Sequence, residues 1–197
     1  MPGKPNTVMS SFLLLLIVSC SPSTEDLYDK AYKLRDEGKN KEAIGVFNRI
    51  IKRNSKLQDA FFEKGYCHLQ DSNYTEALRF FEFVLKMKGV NENNSIIIEM
   101  NPEGPFAREE DRHQVPLNNI YYQMAVTKYN MDSLLPSYRL FKYCAQNNFN
   151  TGNCYLWQGL IWIRYDSTER ACDYFQKALL YGDPEAGQFI NDYCRKK

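Results

Sequence analysis

Histidine is scarce: His68 and His113 are the only two in 197 residues, and neither stands at ligand spacing from a cysteine. Structural zinc sites need closely spaced His and Cys ligands, so no metal site is expected. CxxC is missing, as are GxxxxGKS/T, GxGxxG, HExxH and GxSxG. Those absences remove phosphate-cradling loops, dinucleotide turns, zinc-protease helices and nucleophile elbows. The run Glu109-Glu110-Asp111 sits in a polar, proline-flanked stretch and reads as solvated rather than catalytic. An excess of one charge is missing too, with 25 Lys+Arg against 24 Asp+Glu. Phosphate binding needs a basic excess on some face, so nucleic acid is not an expected partner. Long apolar runs are also wanting. Phe12–Val18 spans about 10 Å as a helix, far short of a ~30 Å hydrocarbon core. Ten Gly and eight Pro are too few for a collagen-like or linker-like chain. What is abundant is aromatic: 14 Tyr and 12 Phe, within a 44% hydrophobic share that suffices for a packed core.

The first twenty residues are built like a targeting segment. Lys4 precedes the apolar run, and a small residue, Ser19, then Cys20 follow it. A charged start, a short apolar stretch and a small-residue exit are the parts of a secretory signal. Ile17-Val18-Ser19-Cys20 resembles the lipobox of bacterial lipoproteins. That resemblance implies a signal peptide over 1–19, lipidation of Cys20, and a short linker over 20–24. It also implies export and anchoring to the inner or outer membrane, facing the periplasm or the cell surface. Stable anchoring takes more than one acyl chain. An ordinary secreted protein cleaved nearby is the competing reading. Beyond Cys20, five cysteines remain: Cys67, Cys144, Cys154, Cys172 and Cys194. An odd set leaves at least one free thiol.

The rest of the chain repeats. Two small residues twelve apart, followed after four by Phe, occur as Ala31/Ala43/Phe47, Gly65/Ala77/Phe81, Ala125/Ser137/Phe141 and Gly159/Ala171/Phe175. The steps between successive copies are 34, 60 and 34 residues. Residues 41–52 carry Ala43, Ile44, Phe47, Ile50 and Ile51 as a helical stripe. Residues 75–86 repeat that stripe with Ala77, Leu78, Phe81, Val84 and Leu85, with Thr75 as the expected N-cap. Pro136 falls in the first turn of a helix capped by Ser133, and Asp183-Pro184 opens a closing helix. Small residues let two helices cross closely, and Phe fills the space beside the crossing. The helix around Trp157 and Trp162 is apolar nearly all round, which implies burial. Residues 92–117 break the pattern. Pro102, Pro105, Pro116 and Gly104 forbid a long helix there. The insertion is either a surface loop or a segment folded against the concave face or a partner, the latter because Ile96-Ile97-Ile98 is too apolar for a free loop.

These units are similar to the tetratricopeptide repeat (TPR) family, on Ala31, Ala43 and Phe47; Gly65, Tyr74, Ala77 and Phe81; Ala125 and Phe141; and Tyr155, Gly159, Ala171, Phe175 and Ala178. With the lipobox, the whole resembles a TPR lipoprotein of the Bacteroidetes type. The last unit also resembles Sel1-type repeats. The closing proline of the family is missing from the first three units, and Ser137 replaces alanine in the third. The resemblance implies an all-α, TPR-like α-solenoid of about four helix hairpins plus a C-terminal capping helix. Pairs 1–2 would occupy 25–91, pairs 3–4 118–183, and the capping helix 184–197. It further implies a concave groove lined by Tyr28, Tyr32, Arg35, Phe62, Tyr66, Asn119, Tyr122 and Tyr129. The expected function is a membrane-anchored scaffold that binds a protein or peptide in that groove. The alternative is a structural subunit of a cell-envelope assembly or secretion complex, buried through its convex or end surfaces. No enzyme activity, catalytic residue, cofactor or small-molecule substrate is expected. In the repeat register a Cys144–Cys154 disulfide joins adjacent pairs, and Cys172–Cys194 ties the cap to the last pair. Otherwise these cysteines are small buried apolar residues.

Overall fold

The computed structural model describes residues 21–90 and 112–195. Among these residues there is no strand, and helices follow one another in antiparallel pairs. The first pair is α1 (Thr24–Asp36) with α2 (Asn40–Arg53), and the second α3 (Gln58–Gln70) with α4 (Tyr74–Met87). The third is α5 (Leu117–Asn130) with α6 (Leu134–Gln146), and the fourth α7 (Thr151–Arg164) with α8 (Thr168–Leu180). A short α9 (Ala186–Phe189) runs into a π-helical turn, Ile190–Cys194, that closes the stack. The expected solenoid of four hairpins with a C-terminal cap is the fold observed. Cys20, the signal segment and Ile96–Ile98 lie outside the described residues.

Local chemistry sets the helix ends. Ser23 and Asp26 form a reciprocal capping box at α1, with Ser23 Oγ accepting from the Asp26 N–H at 3.0 Å and Asp26 Oδ2 accepting from the Ser23 N–H at 2.8 Å. Glu42 in the first turn of α2 and Lys52 and Arg53 in its last complement the helix dipole. Thr75 does not cap α4; the helix starts two residues earlier than a Thr75 cap would place it, after Asn73. Within each pair the turn is the same. Gly38, Ser72, Asp132 and Asp166 all have left-handed φ, at 72°, 59°, 61° and 54°. The next residue's N–H then bonds back five residues, as Lys39 to the Leu34 carbonyl at 2.8 Å and Asn73 to the His68 carbonyl at 2.8 Å. That is a Schellman closure, and it recurs at the spacing of the sequence repeat.

Each unit is centred on one phenylalanine. Phe47, Phe81, Phe141 and Phe175 are all fully buried. So are the small residues they pack on: Ala31 with Ala43, Ala77, Ala125 with Ser137, and Ala171. Gly65 is a point of close approach, since a Cβ there would lie 2.8 Å from Phe81 Cε1; at Gly159 the contact with Phe175 would be tighter still. Ser137 is explained by its hydroxyl, which donates to the Ala125 carbonyl at 2.8 Å. A buried polar group with a partner is tolerated where an orphan is not. Four apolar clusters run along the stack, and the second joins Phe62, Phe81 and Val84 to Ile120 and Met124 across the junction that carries the insertion.

The cysteines correct one expectation. Cys144 and Cys154 are buried and free, and no disulfide joins them. Each thiol meets a backbone carbonyl instead, Cys144 Sγ that of Asn118 at 3.7 Å and Cys154 Sγ that of Phe149 at 3.3 Å. Contact with Cys144 and burial together hold Cys154 protonated. Cys172 and Cys194 are bonded and tie the closing turn to α8. Cys67 is the third free thiol among the described residues, and burial pushes it up to about 12.

Candidate binding groove

The first helices of the pairs, α1, α3, α5 and α7, face one another across successive units, and polar rungs join them. Tyr28 Oη donates to Asp59 Oδ1. Arg35 Nη1 pairs with Glu63 Oε2 at 2.5 Å. Tyr122 Oη donates to Asn153 Oδ1 at 2.5 Å, and Asn153 Nδ2 passes the chain on to Asp183 Oδ2 at 3.1 Å. Arg164 Nη2 reaches Asp132 Oδ1 at 2.6 Å. The Tyr28 register position holds Tyr28, Phe62, Tyr122 and Leu156 in turn. Its hydroxyl is present where the next pair follows directly. It is missing before the insertion and at the end of the stack.

This geometry divides the eight expected groove residues. Tyr28 and Phe62 are buried, 5% and 9% exposed, and pack inside rather than lining an open surface. Tyr28 stacks on Tyr32 with centroids 5.8 Å apart and meets Phe47 edge-on at 6.3 Å. Tyr122 is half-buried, edge-on to Phe141 at 5.7 Å, and burial pushes its hydroxyl up to about 12. Tyr32, Arg35, Tyr66, Asn119 and Tyr129 remain half-accessible. Arg35 organises the first three: its guanidinium lies over Tyr32 at 4.9 Å and Tyr66 at 5.6 Å while it pairs with Glu63 and Asp36. Tyr129 is edge-on to Trp157 at 5.0 Å, and the Arg164 guanidinium lies over the Tyr129 ring at 5.8 Å. Two arginines thus hold two aromatic stations at opposite ends of the groove.

Three residues that sequence reasoning missed complete the site. Asp59 and Glu63 supply the acidic groups of α3, and burial raises the carboxyl of each above its ordinary value. The hydrogen bonds from Tyr28 and His113 oppose that rise at Asp59, and the Arg35 charge opposes it at Glu63. Burial, then the nearby charges of Glu63 and Asp59, raises the Tyr32 hydroxyl. His113 is the third. It lies in the last part of the insertion, stacks on Tyr28 at 4.7 Å with 10° between the rings, and holds Asp59 Oδ2 through Nδ1 at 2.5 Å. Its carbonyl accepts from the Asp59 N–H at 3.1 Å, and Val115 beside it is buried. The end of the insertion therefore folds against the N-terminal edge of the groove. No periodicity signals this. The offset of 31 shared by Tyr28/Asp59 and Tyr122/Asn153 is the one sequence clue to the rungs.

Among the described residues no group of three or more His, Cys, Asp or Glu could hold a metal ion. No described helix is long and apolar enough to cross a membrane.

A stack of antiparallel helix pairs with small-residue crossings and a polar, aromatic inner face defines a TPR-type solenoid. Solved structures share this fold. A MamA fragment from Desulfovibrio magneticus RS-1 superposes with a TM-score of 0.59 at 17% identity, over 80% of this chain and 74% of that one. A further crystal structure of MamA gives 0.58 at 14% identity, over 87% of this chain and 82% of that one. YrrB, described as a TPR protein with an unusual peptide-binding site, gives 0.56 at 13% identity, over 89% and 80%. No family model and no curated protein matches the sequence.

Proposed function

We propose that this protein is a non-enzymatic binding scaffold that takes an extended segment of a partner protein into its concave groove, and that acyl chains on Cys20 hold it at a membrane. The observation that carries the groove reading is a pair of half-buried polar tips without partners. Neither the Tyr66 hydroxyl nor the Asn119 amide has a hydrogen-bond partner among the described residues. A carboxamide offers both donor and acceptor and matches an extended peptide backbone. The Tyr66 ring, held under Arg35, offers a large contact area with little entropy left to lose. The peptide-binding site of YrrB lends support, since its fold is the same.

A second reading has its own support. Leu179, Leu180 and Tyr181 at the end of α8 are 52%, 82% and 57% exposed, an apolar end surface suited to a structural subunit of an envelope assembly. Crosslinked affinity purification from intact cells identifies the partner, and variants then separate the readings. Tyr66→Ala with Asn119→Ala weakens binding about tenfold or more while leaving the melting temperature in place, and Leu180→Glu leaves affinity unchanged. The reverse outcome assigns the partner to the end surface. Cys20→Ala abolishes acyl labelling and releases the protein from membranes; persistent labelling refutes the anchor.

A further inference from the structure

On the opposite side of the stack a cavity of about 490 Å³ opens between α4, α5 and α6. That volume lies in the range of small-molecule sites. Leu85, Met124 and Leu140 form apolar wall. Tyr121, Met124 and Lys128 lie on one face of α5 at i, i+3 and i+7, and Arg139, Leu140 and Tyr143 on one face of α6. Two cations are therefore delivered to an apolar cavity. Neither Lys128 nor Arg139 has a carboxylate partner among the described residues, unlike Arg35, Arg79 and Arg164, which are paired. Val90, the last described residue before the insertion, lines the same space.

The hydrogen-bond inventory narrows the occupant. Every other lining residue belongs to a helix, whose own ladder uses its backbone N–H and C=O groups. The Val90 N–H is taken by the Leu85 carbonyl at 3.0 Å. The charged tips that remain, Lys128 and Arg139, only donate, so a peptide entering this cavity would bury backbone N–H groups with few acceptors to meet them. An alkyl chain has none to bury, and a single anionic end answers the two cations. We propose that this cavity binds a long-chain carboxylate, its alkyl chain among Leu85, Met124 and Leu140 and its carboxylate against Lys128 and Arg139. This is a ligand site rather than a substrate site, and it stands independently of the groove.

Titration calorimetry of the full chain with dodecanoate, kept below its micellar concentration, tests the idea. The expected result is saturable binding at one site. Lys128→Gln with Arg139→Gln, both at solvent-reached tips, weakens dodecanoate binding about tenfold, and dodecylamine binds the native protein far more weakly than dodecanoate does. Leu140→Trp, checked for an unchanged circular dichroism spectrum, blocks binding by filling the cavity. Failure of dodecanoate to bind the full chain, equal binding of dodecylamine, or binding unaffected by the double variant would each overturn the proposal. So would an apolar, uncharged peptide amide that displaces dodecanoate.

Discussion

At residue scale, one register position explains much of the packing. It holds Ala31 and Ala125 in the first and third pairs and Gly65 and Gly159 in the second and fourth. All four neighbouring phenylalanines are fully buried, and in the two glycine pairs the ring occupies the space a Cβ would need. At Gly159 an added methyl would strike Phe175 on one side and approach the Ala171 carbonyl to 3.2 Å on the other. Retreat of the ring is opposed by Phe189 of α9 and Tyr193 of the closing turn, which lie tilted beside it at 5.4 and 6.2 Å. Gly159→Ala is therefore expected to destabilise by about 1–3 kcal/mol through overpacking, although alanine is the better helix former. Ala31→Gly should cost about 2 kcal/mol by another route, lost helix propensity together with one lost buried methyl. Denaturant unfolding of the two variants checks both costs. A stabilised Gly159→Ala variant would mean that the crossing is looser than the geometry says.

At element scale, the stack ends in a cap held by a covalent bond. The Cys172–Cys194 disulfide closes a separation of 22 residues. A loop of that size stabilises by about 3 kcal/mol, chiefly by restricting the unfolded chain. Reduction, or Cys172→Ser with Cys194→Ser, should lower the melting temperature by several degrees, while reductant leaves the double variant unchanged. Equal melting with and without reductant would remove the bond from the stability of the fold. The same element shows where the sequence was legible and where it was not. Helices and crossings repeat, so small-x11-small-x3-Phe located all four pairs. Pairing of cysteines depends on where a thiol points, which the repeat does not encode. Cys144 and Cys154 come close in register, but both turn to backbone carbonyls. Cys172 faces the stack's end, where only the closing turn can reach it. The groove was half legible for a related reason. Helical spacing put Tyr28 and Phe62 on the inner face, but it does not distinguish a ring lying between units from one open to a ligand. The return of His113 onto Tyr28 left no mark in the sequence, because a single contact at the end of an aperiodic insertion has no period to read.

At the scale of the whole molecule, a solenoid is as cooperative as its weakest junction. Packing runs between consecutive helices, so each pair is stabilised mainly by its neighbours. The junction between α4 and α5 is the one interrupted by the insertion, and its apolar contact rests on Ile120 and Met124 against Phe62, Phe81, Val84 and Leu85. Ile120 is fully buried there. Ile120→Ala removes about 2–5 kcal/mol of packing, chiefly from the contact between the two halves. The halves should then unfold separately, the first two pairs earlier, since the disulfide braces only the last. The protein carries its own reporter for this: both tryptophans, Trp157 and Trp162, lie on α7. In the native protein, circular dichroism and tryptophan fluorescence should give coincident denaturation curves. In Ile120→Ala, helix signal should fall at a lower denaturant concentration than fluorescence changes. Coincident curves in the variant would mean that α3, α5 and the end of the insertion, with Asp59 bound to His113, couple the halves strongly enough without the Ile120 contact.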